Sequence, residues 1–150
     1  MQTAGTDKMA QALDMARHAG VRMTRQRCAV LAAVLHSCDH PTAAQIFTRA
    51  KAGYAGLSLA TVYNSLEAMA AAGVINHLHF DNGPARYCPN LSPHAHLVDD
   101  ASGRVLDIHL KNGLNAEDVF TVPDGCHVHR MDACLHGSIP APTQGTDTAL

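Results

Sequence analysis

The sequence predicts an α+β fold, in which an N-terminal winged helix-turn-helix domain precedes a small α/β domain. Helical periodicity with capping residues runs through the first 72 residues. From residue 74 onward the apolar residues alternate at strand spacing. A Pro-Asn-Leu-Ser-Pro segment at 89–93 divides the strands into two groups, as a hinge between domains would. These three observations together predict the fold class.

Four helices are predicted before the first strand, and each has a start or stop signal. The predicted spans are 8–18, 24–37, from 42 onward, and 58–72. The signals are stops at Gly20 and Gly73, N-caps at Thr24 and Ser58, and a Thr42–Gln45 capping box. Three short helices with brief connections, followed by a fourth, are typical of a helix-turn-helix protein.

The strands that follow are predicted in two groups. Residues 74–80 and 85–88 form a hairpin around the turn sequence Asp81-Asn82-Gly83, which is the wing. Strands are expected at 94–98, 104–110 and 127–134, with a short helix at 115–120. Residues 138–150 are rich in Pro, Thr and Gly, so we expect a disordered tail. The predicted organisation is a winged-helix domain at 1–88, a hinge at 89–93 and a second domain at 94–137.

The composition excludes several classes of protein. Of the 150 residues, 47% are hydrophobic and 16% are charged, which excludes a disordered or coiled-coil chain. There is no membrane-spanning apolar run and no secretory signal, so we expect a cytoplasmic protein with reduced thiols. The chain has 11 histidines and 5 cysteines but no Cys-x-x-Cys pair, which excludes a disulfide framework and a zinc ribbon. Any metal would therefore be bound by histidine and mixed ligands.

Charge is distributed unevenly along the chain. The first 88 residues carry eight Lys/Arg against five Asp/Glu, whereas the remaining residues carry three against eight. A basic first half beside an acidic second half suggests that only the first half binds a polyanion such as nucleic acid.

The predicted fourth helix has an apolar face and a face suited to DNA. The apolar positions are Leu59, Val62, Leu66 and Met69. The opposite side carries Ala60, Thr61, Asn64 and Ala68, with Tyr63 beside them. Small residues allow the helix to sit close in the major groove, where these polar side chains can contact bases or phosphates. Arg22, Arg25 and Arg27 precede or open the second helix and can contact phosphates. The alternative is a helical domain whose polar face is only solvated.

Seven runs of residues follow one known pattern. They are GVRMTRQR at 20–27, HPTA at 40–43, SLATVYNSL at 58–66, GVI at 73–75, RY at 86–87, HAH at 94–96 and GRVLDI at 103–108. HRM at 129–131 is a weaker match. Together they closely resemble the ferric uptake regulator (Fur) family over roughly residues 15–110. The resemblance implies a homodimeric winged-helix repressor that binds operator DNA when loaded with metal, through Tyr63 and Arg22 among others.

Two histidines carry the metal prediction from the residues alone. His94 and His96 lie two apart in a predicted strand, so both imidazoles project from one face and can reach one cation. The resemblance extends this pair to a regulatory site between the two domains, made of His40, Cys88, His94, His96 and Asp107. The same resemblance implies that residues 94–137 form the dimerisation and metal-sensing domain.

The identity of the metal depends on Cys88. Peroxide-sensing and iron-sensing relatives of this family usually have Asp or Glu here, whereas zinc-uptake regulators resemble this chain in having cysteine. A thiolate among imidazoles and one carboxylate makes a softer site, which favours zinc. Iron(II) and manganese(II) stay open as alternatives, and with them a peroxide sensor in which bound iron oxidises His40 or His94. A hydrolytic metalloenzyme is a remote alternative, because five protein ligands leave no open position for substrate.

The chain departs from the family at its usual four-cysteine structural zinc site. The corresponding positions are Asp99, Ser102, Gly137 and Pro140, so that site is predicted to be absent. Haem-responsive relatives also lack it, which keeps a haem-linked role open. A second metal site could instead come from a cluster of residues near the C-terminus, Cys126, His127, His129, Cys134 and His136, although buried thiols beside exposed histidines are the simpler interpretation.

Overall fold

The computed structural model describes residues 3–36, 39–80, 83–111, 114, 116–129 and 131–141. It divides into two compact units, Met1–Ser92 and Pro93–Leu150, which we call the N-terminal and C-terminal units. The N-terminal unit contains α1 (Thr3–His18), α2 (Arg25–Leu35), α3 (Ala43–Gly53), α4 (Leu59–Ala71), β1 (Asn76–Leu78) and β2 (Arg86–Cys88). The C-terminal unit contains β3 (Ala95–Asp99), β4 (Val105–Ile108), α5 (Ala116–Val119) and β5 (Cys134–Gly137). Within the described ranges, no helix has the length and hydropathy to cross a membrane.

The capping signals place the helices as predicted. Thr24 and Ser58 each accept a hydrogen bond from a backbone N–H in the first turn of α2 and α4. Thr42 and Gln45 form the reciprocal capping box of α3. Gly20 and Gly73 adopt positive φ values of 74° and 70°, which glycine tolerates best and which end the helices before them. Two bounds differ: α1 begins at residue 3 rather than 8, and α2 ends at Leu35. The predicted end at Ser37 lies outside the described residues.

The core of the N-terminal unit lies between α2, α3 and α4. Its largest fully buried side chains include Leu31, Ile46, Leu66 and Met69. The prediction that Leu59 faces inward is wrong, because its side chain is 42% exposed. Leu59 is the first residue of α4 and precedes the turns that reach the core. Ser65 is buried instead, and its hydroxyl donates to the Thr61 carbonyl at 2.7 Å, so no polar atom is left unsatisfied there.

The wing is a two-stranded antiparallel hairpin that is shorter than predicted. Strand β1 pairs with β2 so that His77 lies opposite Tyr87 and Asn76 opposite Cys88. Val74 and Ile75, predicted as strand, are instead buried in the core cluster of the helical region. Two of the predicted turn residues, 81 and 82, lie outside the described residues.

Strand β2 is also attached to the loop before α3. The Tyr87 N–H donates to the Pro41 carbonyl at 3.1 Å, and Thr42 forms an isolated bridge with Arg86. The Arg86 guanidinium donates to the His40 carbonyl at 3.1 Å. Backbone and side-chain bonds therefore fix the wing to the residues on either side of Pro41.

The C-terminal unit is built on a three-stranded sheet in the order β4-β3-β5. Strand β3 is antiparallel to β4 and parallel to β5. The predicted strand at 127–134 is wrong: β5 spans 134–137, and the described residues at 126–129 are exposed. The reason is the partner strand, because pairing with β3 begins where the His96 N–H donates to the Ala133 carbonyl. The short helix predicted at 115–120 is present as α5.

One buried carboxylate connects two distant segments of this unit. Asp99, at the end of β3, accepts hydrogen bonds from the N–H and the hydroxyl of Ser102 and from the Ile139 N–H at 2.9 Å. The Arg104 guanidinium donates to the Pro140 carbonyl nearby. Ile139 and Pro140, which belong to the segment predicted as a disordered tail, are therefore hydrogen-bonded to this unit. Residues 142–150 lie outside the described residues. The Ser102 hydroxyl, followed by the Ile139 N–H, lowers the pKa of Asp99.

We expect Asp99→Asn to destabilise the C-terminal unit, because amide nitrogen replaces an oxygen that accepts these hydrogen bonds. A carboxylate whose pKa is lowered in the folded state stabilises the fold above its unfolded pKa of about 3.9, and this stabilisation is lost as the pH falls through the lower folded value. The urea midpoint of the variant, followed by circular dichroism, should thus lie below that of wild type at neutral pH and approach it in acid. The matched control is Asp124→Asn at an exposed position. A difference that is the same at every pH would contradict this role.

Candidate metal centre and nucleic-acid interface

Three potential metal ligands meet within the C-terminal unit. Strand pairing places Asp107 on β4 directly opposite His96 on β3, and His94 precedes the same strand on the same face. The His94 and His96 Nε2 atoms are 3.0 Å apart, and each lies 3.5 Å from an Asp107 oxygen. Both imidazoles are buried, whereas the carboxylate is half-buried. The two imidazoles and the carboxylate therefore lie close together on one face of the sheet.

The spacing of these three atoms suits a tetrahedral cation. Zinc–nitrogen bonds of about 2.0–2.1 Å imply ligand atoms roughly 3.3 Å apart at the corners of a tetrahedron. The observed separations of 3.0, 3.5 and 3.5 Å are close to that value. Imidazole nitrogens and a carboxylate oxygen suit zinc, iron and manganese alike. The residues present therefore fit a divalent transition metal.

Two further predicted ligands approach each other within the N-terminal unit. The ligand atoms of His40 and Cys88 lie within 4.8 Å of one another, and both residues are buried. His40 adopts a positive φ of 51°, an uncommon conformation for a residue with a side chain. The Arg86 contact to its carbonyl holds this conformation.

The Cys88 sulfur has a local backbone donor. The Asn90 N–H donates to Cys88 Sγ at 3.4 Å, and Cys88 Sγ also lies 4.0 Å from the Asn90 carbonyl oxygen. The Asn76 side-chain amide in turn donates to the Asn90 carbonyl at 2.7 Å, which fixes this loop to β1. The thiolate is the form in which cysteine binds metal. Arg86 and Asn90 were not identified from the sequence as residues that position the ligands. Their contacts join a strand to a loop, and no regular spacing of residues in the sequence indicates such a contact.

The candidate second cluster near the C-terminus does not come together. Among the residues that the structure describes, no metal-ligating group of three or more includes any of its members. Cys134 and His136 do lie close, with Sγ and Nε2 3.7 Å apart, and the other ring nitrogen of His136 is 3.3 Å from Asp100. Both side chains are exposed, as are Cys126, His127 and His129. The simpler interpretation of exposed histidines holds, but the thiols are not buried.

The predicted DNA-contacting side of α4 is accessible. Tyr63 is 52% exposed, and Asn64 is exposed beside it. Thr61 is half-buried, and its hydroxyl shares a 2.8 Å hydrogen bond with the Ser58 hydroxyl. Tyr63 and Asn64 are therefore available to a ligand, whereas the Thr61 hydroxyl already has a partner in the helix cap.

The three predicted phosphate-binding arginines differ in availability. Arg22 and Arg25 are exposed. Arg27 is half-buried, and its guanidinium donates to the Arg22 carbonyl at 2.7 Å. Arg27 thus organises the turn before α2, which leaves Arg22 and Arg25 as the more accessible charges.

Comparison with known proteins agrees with this architecture. The model of the Ferric uptake regulator family matches residues 18–132. The Peroxide operon regulator of Bacillus subtilis (strain 168) is 31% identical over 127 residues, which cover 83% of this chain and 88% of the relative. A solved zinc-bound manganese uptake regulator is 28% identical with a TM-score of 0.61, over 84% of this chain and 98% of that one. A Zinc Uptake Regulator complexed with zinc and DNA shares the fold, with a TM-score of 0.68 at 18% identity over 92% and 94% of the chains.

These matches decide between the broad alternatives. Members of the matched family are transcriptional regulators rather than enzymes, so the metalloenzyme alternative is wrong. Both the family model and the Bacillus relative extend through most of the two units. The winged helix-turn-helix prediction for the first unit and the α/β prediction for the second are confirmed by the shared fold. The chain therefore belongs to the Ferric uptake regulator family.

Proposed function

We propose that this protein is a metal-responsive transcriptional repressor that binds operator DNA as a homodimer. The observation that carries the proposal is the convergence of His94, His96 and Asp107 donor atoms at separations suited to a tetrahedral cation. The chain that holds these ligands also presents an exposed tyrosine and asparagine on a helix of a winged-helix unit. A metal signal and a DNA-binding response thus reside in one chain.

The proposed metal is a single divalent ion per subunit, held by His94, His96 and Asp107 of the C-terminal unit and by His40 and Cys88 of the N-terminal unit. Neither set alone supplies four protein ligands. Residues 89–93 then act as a hinge between a DNA-binding domain, 1–88, and a dimerisation and metal-sensing domain, 94–137. When bound, the metal favours the arrangement in which both sets of ligands reach it. The difference between its affinity for this arrangement and its affinity for others sets the fraction of the protein that can bind DNA.

We propose zinc as the metal because Cys88 supplies a thiolate. A thiolate donor shifts preference toward softer ions, whereas carboxylates favour iron(II) and manganese(II). No structural zinc is expected at the four-cysteine positions, since none of Asp99, Ser102, Gly137 and Pro140 carries a thiol.

A second candidate is an iron- or manganese-dependent peroxide regulator of the same family. It is favoured by the Bacillus subtilis relative, which is named a peroxide operon regulator. Purified protein loaded with iron(II) or with zinc should be treated with hydrogen peroxide, digested and examined by mass spectrometry. An added oxygen on His40 or His94 in the iron-loaded sample, together with release of DNA, would favour the peroxide regulator. Unmodified histidines and retained zinc would favour the metal-responsive repressor.

His96→Ala should abolish metal-dependent DNA binding. Even changes to groups that only orient a ligand reduce metal affinity about 10–100-fold, so loss of a ligand should cost at least that much. Zinc content by elemental analysis and duplex binding by fluorescence anisotropy, titrated with zinc, would measure the effect. The control is His127→Ala, at an exposed histidine. Unchanged metal dependence in His96→Ala would show that the site assignment is wrong.

Cys88→Asp should shift metal preference from zinc toward iron(II) or manganese(II), because it exchanges a soft donor for a hard one. The measurement is competition between the metals for the purified variant and for wild type, under anaerobic conditions with a metal-sensitive dye. Cys126→Asp, at an exposed cysteine, controls for added negative charge. An equal preference in wild type and Cys88→Asp would remove the argument for zinc.

Tyr63→Ala should weaken operator binding by about 1–2 kcal/mol, roughly tenfold, without lowering metal content. Tyr63 is exposed and belongs to the helix that we assign to the major groove. Operator fragments selected from a random library would serve as the probe, with metal analysis of the same sample. Wild-type affinity in this variant would place the DNA interface elsewhere.

A further inference from the structure

The wing carries two histidines that the metal site does not use. His77 lies on β1 and His79 follows it, and both are exposed. Their ring centroids are 4.4 Å apart, with the rings at 61° to each other. The two imidazoles thus form an accessible pair on the surface of the hairpin.

One member of the pair, His77, packs against a buried tyrosine. The Tyr87 ring stacks on His77 with a centroid separation of 5.0 Å and an interplanar angle of 12°. These residues are cross-strand partners, so strand pairing itself sets the contact. Tyr87 is buried, and its N–H bond to Pro41 fixes the strand that bears it. The His77 ring is therefore held in one place before any ligand arrives.

The same tyrosine relates the pair to the predicted DNA-binding helix. Burial raises the pKa of Tyr87, and the charges of Tyr63 and Glu67 on α4 raise it further. Tyr87 also belongs to the same buried core cluster as Val62 and Leu66 of α4, so the wing packs against this helix. The wing histidines and Tyr63 consequently belong to one region of the N-terminal unit.

The electrostatic surroundings of the free protein disfavour the charged form of His77, so this ring can take up a proton from solvent when an anion binds beside it. Burial lowers the pKa of His77, and the charge of His79 lowers it further. The His77 ring contacts His79 and Tyr87, and the charged or titratable groups that act on Tyr87 from α4 are Tyr63 and Glu67. Arg86 donates to the His40 carbonyl, on the alternate face of β2 from Tyr87. A phosphodiester placed beside two imidazoles would offset their mutual repulsion and favour the charged forms.

We propose that His77 and His79 form a proton-linked phosphate contact, through which the wing binds the backbone of duplex DNA more tightly as the pH falls. The inference depends on the DNA-binding function proposed above. Because DNA binding takes up protons at these rings, affinity rises on acidification through the range near the ordinary histidine pKa of about 6.5.

The experiment uses the full chain saturated with zinc at each pH. A fluorescein-labelled 30-base-pair duplex of random sequence is the probe, because backbone contacts do not need an operator. Anisotropy titrations at pH 6.0 and 7.5 compare wild type with the double variant His77→Gln/His79→Gln. His127→Gln, an exposed histidine of the other unit, is the matched control. Repeating each titration at several salt concentrations counts the phosphate contacts.

Wild type and the control should bind about tenfold more tightly at pH 6.0 than at 7.5, within the limit of tenfold per pH unit for each proton taken up. The double variant should differ less than about twofold between the two pH values, and its salt dependence at pH 6.0 should be shallower by about one contact. An aromatic pair that only stabilises the hairpin would lower affinity equally at both pH values and leave the pH dependence in place. That result would overturn the proposal.

A second measurement, made on the wild-type protein, tests the proposal if the double variant folds poorly. Histidine ring resonances of the wild-type protein, titrated with and without the duplex, should show the pKa values of His77 and His79 raised by DNA. Unchanged pKa values in the complex would overturn the proton-linked contact while leaving DNA binding intact. Wild type that binds neither the random duplex nor the selected operator fragments at either pH would refute the DNA-binding function itself, and with it this inference.

Discussion

The attachment of strand β2 to the loop before α3 is the constraint on which the N-terminal unit depends. Because side chains alternate along a strand, the three residues of β2 point to two opposite faces. Arg86 and Cys88 lie toward His40, where one fixes the backbone and the other supplies a thiol. Tyr87 lies on the opposite face, beneath the wing histidines. Shifting this strand by one residue would exchange the two faces, so ligand geometry and wing geometry are fixed together.

In the C-terminal unit the corresponding constraint is the register of β3 against β4. It sets His96 opposite Asp107, and the strand period of two brings His94 to the same side. The distances among the three donor atoms follow from backbone pairing rather than from a flexible loop. Metal binding at these residues, as we propose it, would cost little side-chain freedom.

The sequence predicted local features well and long-range ones less well. The caps at Thr24, Thr42 and Ser58 depend on residues three positions apart, so spacing alone identifies them. The His-x-His pair is likewise local. Strand β5 was misplaced because its bounds are determined by β3, some 38 residues earlier in the chain, since His96 pairs with Cys134. Leu59 has an apolar side chain at helical spacing, yet its position at the start of α4 leaves it exposed.

The hydrogen bonds of Asp99 join distant segments of the C-terminal unit. They lie at positions where the family resemblance would place the cysteine ligands of a structural zinc. The four positions are Asp99, Ser102, Gly137 and Pro140, and none can supply a thiolate. In their place, the Asp99 carboxylate accepts from Ser102 and Ile139, the Asp100 N–H donates to Gly137, and Arg104 donates to Pro140. A carboxylate that accepts several hydrogen bonds can join chain segments that are distant in sequence, as a metal does. Because groups of this chain alone join the turn after β3 to the end of β5, the metal site that we propose would be left to act as the signal.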